Sequence, residues 1–226
     1  MLRYEKRHHV MAMGLAALAG FVDALGFLKL NGLFVSFMSG NSTRAAVGAV
    51  TGAPLGFLAA ALIAAFLVGV VAGAVLGQMA DRWRKQAVLA FVIVLLLIGA
   101  VSSMMGVEGV PLTLVMAGAM GAANNVFQRD GEVSIGVTYM TGTLVKLGQK
   151  LASALTGGAP FAWIPYLMLW IGLVAGGIAG AMVFPLFGLR ALWLAAGFAS
   201  CLFAGALAIG PLPVGASAKV ISPTSG

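Results

Sequence analysis

FVSFMSGNSTR at residues 34–44 returns, without a gap, as GVTYMTGTLVK at residues 136–146. Val35 matches Val137, Ser36 matches Thr138, Phe37 matches Tyr139 and Met38 matches Met140; Ser39 stands opposite Thr141, Gly40 opposite Gly142, and Arg44 opposite Lys146. Two copies at so long a period predict a duplicated half rather than a solenoid. Each copy sets hydroxyls, a glycine and a cation in an apolar neighbourhood. At membrane depth such groups are costly unless they line a cavity or are buried in protein, so the repeat marks the candidate functional element.

Working outward, 61% of the chain is hydrophobic and only 8% charged. A soluble core could not hide that much apolar surface, and the composition predicts an all-α, polytopic membrane protein with the lipid bilayer as its solvent. The net charge of +7 would suggest nucleic acid in a soluble protein. Here the cations fall in short hydrophilic gaps and mark cytoplasmic loops instead, so no nucleic-acid partner is expected. The lone Cys201 rules out an intramolecular disulfide and reads as a small buried hydrophobe. Both histidines, His8 and His9, lie in the basic N-terminal stretch. That leaves no histidine for a metal or catalytic site, and no cofactor is expected. The basic start followed by an apolar run resembles a signal peptide, but residues 19–21 align with 121–123 in the repeat, so the first segment is read as part of the fold.

Apolar spans are expected at about 10–28, 54–79, 87–105, 110–127, 160–184 and 191–209, each long enough to cross a layer of roughly 30 Å. The stretches 33–50 and 134–155 are interrupted by the two motifs. The domains follow as a basic tail at 1–9, a first membrane repeat at 10–106, a second at 107–210, and a disordered tail at 211–226. If the interrupted stretches also span, each half has four crossings and the repeats are parallel. If they dip in and return, each half has three. Arg82, Arg84, Lys85 and Arg129 then fall inside and Glu108 outside, while Lys29 and Arg190 fit less well. Charge favours three plus three, which makes the repeats inverted, each with a broken or re-entrant helix, and both termini cytoplasmic. Gly69, Gly73 and Gly77 form one small-residue row and Gly172, Gly176 and Gly180 another. Such rows let backbones approach closely; generic packing is the simpler reading, and helix pairing or a homodimer the more specific one.

Asp23 is the one acid well inside an apolar span. It reads as a proton- or cation-coupling residue or as a structural partner of a nearby cation or helix end; the repeat aligns it with Asn125. A helix restarting after Gly40 or Gly142 would offer free N–H groups and the positive end of its dipole. Arg44 or Lys146 one turn on would complete a site for an anionic or carbonyl-bearing solute, unless both cations snorkel to the interface. Ser39, Asn41, Thr43, Tyr139, Thr141 and Thr143 supply further polar lining, and hydroxyls also bond back to their own helix.

The stretches GFVDALGFLKLNGLFVSFMSGNSTR (20–44) and NNVFQRDGEVSIGVTYMTGTLVKLG (124–148) are similar to the two signature stretches of the YoaK family. The resemblance covers nearly the whole chain. It implies a small bacterial inner-membrane protein of about six spans and carries no established substrate. The residues themselves favour a secondary transporter or channel for a small polar or anionic solute, with its site between the interrupted helices near the midplane. The alternative is a non-transporting binding or regulatory module of the cell envelope. An intramembrane enzyme is disfavoured, since no catalytic constellation is present.

Overall fold

The computed structural model describes residues 6–129, 132–133 and 136–210. The expected disordered tail at 211–226, the first five residues and Asp130 lie outside them. Eight α-helices occur among the described residues: α1 (Lys6–Lys29), α2 (Met38–Thr51), α3 (Pro54–Ala80), α4 (Arg84–Met104), α5 (Val110–Ala123), α6 (Met140–Leu155), α7 (Ile164–Phe187) and α8 (Leu192–Ile209). A two-residue ladder, Gln128–Arg129 with Glu132–Val133, lies in the α5–α6 connection. Three continuous helical stretches, His9–Lys29, Pro54–Met104 and Ile164–Ile209, have membrane-crossing length and hydropathy. The last two bend into pairs. Asp81 adopts a positive φ of 44° between α3 and α4, and the Arg84 Nε–H then donates to the Gly77 carbonyl at 3.2 Å. Gly188, at φ 54°, turns α7 into α8. The result is six apolar helices, of which α5 is a helix of only 14 residues in place of the span expected over 110–127, and two further short ones, α2 and α6, which carry the motifs.

Helix pairing crosses between the halves. α1 packs chiefly on α7, and α5 on α3, while α4 and α8 meet along the seam. The glycine rows are the reason. A Cβ on Gly176 would land on the Ala17 carbonyl oxygen, and one on Gly69 would land on the Gly118 carbonyl oxygen. A Cβ on Gly20 would lie 3.0 Å from the Gly177 nitrogen, and one on Gly121 would lie 3.0 Å from the Val70 nitrogen. These are the same contact made twice, at the backbone-to-backbone approach that only glycine permits. Gly69 therefore corresponds to Gly176, and Gly73 to Gly180. Aligning the two sequence rows position by position misplaces the equivalence by one helical turn. The rows do not pack on each other: Gly69 and Gly73 receive α5, and Gly172, Gly176 and Gly180 receive α1, while Gly77 faces Arg84 and Val88 of α4.

Contacts also sort the helix ends. Lys29 at the end of α1 donates to Glu108 in the α4–α5 turn, and Trp193 at the start of α8 donates to the Met104 sulfur at 3.1 Å. At the other end the Gln86 amide donates to the Ala206 and Gly210 carbonyls, at 2.9 and 3.3 Å. Cys201 is exposed on α8 rather than buried, because the α8 face turned to α4 and α1 is the one carrying Ala195, Ala199 and Ala206.

The Glu108 ion pair yields a pH prediction. Its hydrogen bond from Lys29 holds the carboxyl below its ordinary value, with Ser103 and Arg190 acting in the same direction. A depressed carboxylate contributes stability above its unfolded pKa and loses it as pH falls through the folded one. Both side chains are partly exposed, so the contribution is at most about 1 kcal/mol. Glu108→Gln is expected to lower thermal stability by up to about 1 kcal/mol at neutrality and to flatten its fall below about pH 4.5, where the variant and the parent converge. An unchanged acid limb would remove the ion pair from the account.

Candidate functional site

Both motifs begin at a polar anchor inside the layer. Asp23 sits six residues before the end of α1, about 9 Å below it along the axis. Its Oδ1 accepts the Val35 and Ser36 N–H groups, both at 2.8 Å, just before α2 begins. Both donors lie just before α2 and its first turn, so the carboxylate ties the loop that enters α2 to the body of α1. In the second half the same role falls to Asn124. Its Oδ1 accepts the Thr138 N–H at 3.4 Å and the Thr138 hydroxyl at 3.1 Å, and its amide donates to the Met120 carbonyl at 3.0 Å. Asp23 is thus matched by Asn124, not by the Asn125 that the gapless alignment selects. Thirteen residues separate Asp23 from Ser36, but fourteen separate Asn124 from Thr138. Asn125 points the other way, donating to the Val70 carbonyl at 3.0 Å inside the α3–α5 contact.

Five of the ten other predicted site residues, Gly40, Asn41, Thr43, Arg44 and Thr143, are engaged within their own motif. Asn41 is fully buried and clamps Phe34 from both sides, accepting its N–H at 3.0 Å and donating to its carbonyl at 2.6 Å. Arg44 lies over the Phe34 ring at 5.4 Å, and Phe34 in turn meets Phe27 and Phe37 at about 5 Å between ring centroids. Gly40 is needed there, since a Cβ would come 2.7 Å from the Phe37 ring, whereas Gly142 faces open space. Thr43 and Thr143 bond back to the Ser39 and Tyr139 carbonyls, at 3.3 and 3.0 Å. Ser39, Tyr139, Thr141 and Lys146 are exposed.

The structure therefore brings together Asp23, Ser36, Phe34, Asn41 and Arg44 in one cluster, and Asn124, Thr138, Tyr139 and Thr143 in another. It does not bring the two clusters together. α2 packs on α3 and α6 on α7, and among the described residues α2 and α6 make no packing contact. Nor do three His, Cys, Asp or Glu side chains converge as a metal site requires, among the described residues.

Fold and anchors together define a multi-pass, helical membrane protein of two matching halves, each with a short helix whose entering loop is held by a polar side chain. The chain belongs to the DUF1275 family of proteins of unknown function, whose model matches residues 11–205. It is similar to the UPF0700 transmembrane protein RA0705 of Rhizobium meliloti (strain 1021), with 37% identity over 198 residues covering 84% of each chain. No solved structure matches.

Proposed function

We propose that this protein is a secondary transporter or channel for a small polar or anionic solute in the bacterial inner membrane, with both termini cytoplasmic. The reading is carried by one observation: the matched pair of anchors, Asp23 with Ser36 and Asn124 with Thr138, on first helices that each pack into the opposite half. Two copies that interlock and enter the layer from opposite sides form an inverted repeat, the pattern in which solute sites lie between broken helices near the midplane. The solute path would run between the two anchors, with Asp23 as the coupling group and Arg44 and Lys146 favouring anions. In this reading α2 and α6 approach one another in another state of the cycle. The YoaK resemblance agrees with the location.

The second reading, a non-transporting binding or regulatory module, is favoured by one feature of the motifs. Asn41, Thr43, Asn125 and Thr143 already have partners within the fold, and the exposed faces of α2 and α6 lie at its perimeter. A homodimer belongs to this reading as much as to the first, through surfaces other than the occupied glycine rows.

Two measurements test the proposal. Thr51 and Thr156, exposed at the ends of the two short helices and bonded alike to the carbonyl one turn back, are equivalent reporters. They are better than Gly52 and Gly157, whose positive φ disfavours a side chain. In a Cys201→Ala background, Thr51→Cys is expected to react with an impermeant maleimide on intact cells, and Thr156→Cys only after permeabilisation. Reaction of both from one side would overturn the inverted arrangement. Proteoliposomes are then tested for flux of small carboxylates, inorganic anions and neutral polyols. Equal flux in protein-containing and empty vesicles for all of them would favour the second reading.

A further inference from the structure

α6 is the one short helix whose two sides differ sharply. Met140, Leu144, Leu147, Leu151 and Leu155 recur at helical spacing along one side, while Lys146, Gln149, Lys150 and Ser153 fall on the other. The helix contains no acid. Among the described helices only α7 packs on it, and Leu144, Val145, Leu151 and Leu155 are exposed, Leu155 at 87%. Its copy in the first half is different. α2 exposes mainly hydroxyls, alanines and two valines, carries a single cation, and lays that cation over Phe34. Duplication therefore does not account for the amphipathic form of α6.

Placement says what the exposed side meets. α7 runs parallel to α1, with Gly172 beside Met13 and Gly180 beside Phe21, so the α6–α7 turn lies at the N-terminal end of α1. The α4 end carrying Gln86 is drawn to the α8 terminus at that same end, which also puts Arg82, Arg84 and Lys85 there. That end is the cationic one. A leucine-faced helix with flanking lysines, lying at the cationic end of a membrane bundle, has the chemistry of a segment that seats in an anionic leaflet.

We infer that α6 is an interfacial anchor that docks its Leu144–Leu151–Leu155 side into the acyl boundary and binds anionic phospholipid headgroups through Lys146 and Lys150. This holds whether or not the protein transports a solute, and needs only the membrane fold. Lipid binding at this position makes α6 sensitive to the composition of the leaflet, and through the Asn124–Thr138 anchor passes that state to α5.

The test uses the full chain with Cys201→Ala, reconstituted in nanodiscs of phosphatidylcholine with or without phosphatidylglycerol. Single cysteines at Leu151 and Gln149 carry an environment-sensitive fluorophore. Leu151 is expected to be quenched by nitroxide-bearing lipid and protected from aqueous iodide by at least about threefold relative to Gln149. Phosphatidylglycerol is expected to increase that protection, and Lys146→Gln with Lys150→Gln to abolish the increase while the phosphatidylcholine signal and the thermal unfolding midpoint persist. Equal iodide access at both positions in both lipids would overturn the inference. So would protection in detergent accompanied by disulfide-linked dimers through Leu151→Cys, since a second copy would then cover the face. Persistence of the phosphatidylglycerol effect in the lysine variant would remove the headgroup assignment.

Discussion

Asp23→Ala is expected to destabilise the protein by about 2–5 kcal/mol, whereas Asp23→Asn is expected to cost under about 1 kcal/mol. The Asp23 Oδ1 accepts two backbone N–H groups at 2.8 Å each. Alanine would strand both in a water-poor setting, where an unsatisfied donor costs about 1–3 kcal/mol. Asparagine keeps the accepting oxygen, and Asn124 serves the second half in that form. Thermal unfolding in a fixed detergent or lipid reads the difference. If asparagine proves as damaging as alanine, the negative charge rather than the acceptor geometry holds the loop. The same pair of variants separates coupling from structure in transport. In a coupled carrier Asp23→Asn leaves downhill exchange intact and abolishes accumulation, while loss of both with retained folding places Asp23 in the path itself.

That contrast bears on how much of the molecule was legible in its sequence. The long helices were, because twenty or so apolar residues bounded by charge or proline allow few alternatives. The span expected at 54–79 is observed as Pro54–Ala80, and the one expected at 87–105 as Arg84–Met104. The span expected from 160 starts only at Ile164, because Pro160 is taken up in a turn closed by the Trp163 indole N–H on its carbonyl at 2.9 Å. The motifs were found, and so was the polar character of their surroundings. Partnership was not legible. Asp23 lies within α1 and Asn124 caps the end of α5, and the stretches joining them to Ser36 and Thr138 differ by one residue. Carrying the motif alignment back across that difference lands on the next residue, Asn125, whose amide is turned to α3 instead. Neither could sequence foretell that Asn41 would turn back onto Phe34, since an amide can face a cavity or its own backbone equally well.

Gly69→Ala and Gly176→Ala should each destabilise by about 1–3 kcal/mol or more, and leucine at either position should prevent folding. In both cases the new Cβ would sit on a backbone carbonyl of the facing helix, Gly118 for Gly69 and Ala17 for Gly176. A carbonyl inside a helix cannot step aside as a flexible side chain can, so relief requires the two axes to separate and every neighbouring contact to loosen. Gly197 and Gly205 in α8 face open space and serve as controls. Alanine there should be neutral or stabilising, by up to about 1 kcal/mol, because glycine disfavours the helix interior. Retained fluorescence after size-exclusion chromatography of a tagged protein, followed across temperature, ranks the four variants. Neutral outcomes at Gly69 and Gly176 would sink the crossed pairing. The double variant carries the sharper information: the two glycines lie in separate contacts, α3–α5 and α1–α7, so independent interfaces predict additive losses to within about 0.5 kcal/mol. A loss well short of the sum would mean that opening one contact already opens the other. The two halves would then move as one coupled unit about their common seam, the mechanical property that an alternating-access cycle requires.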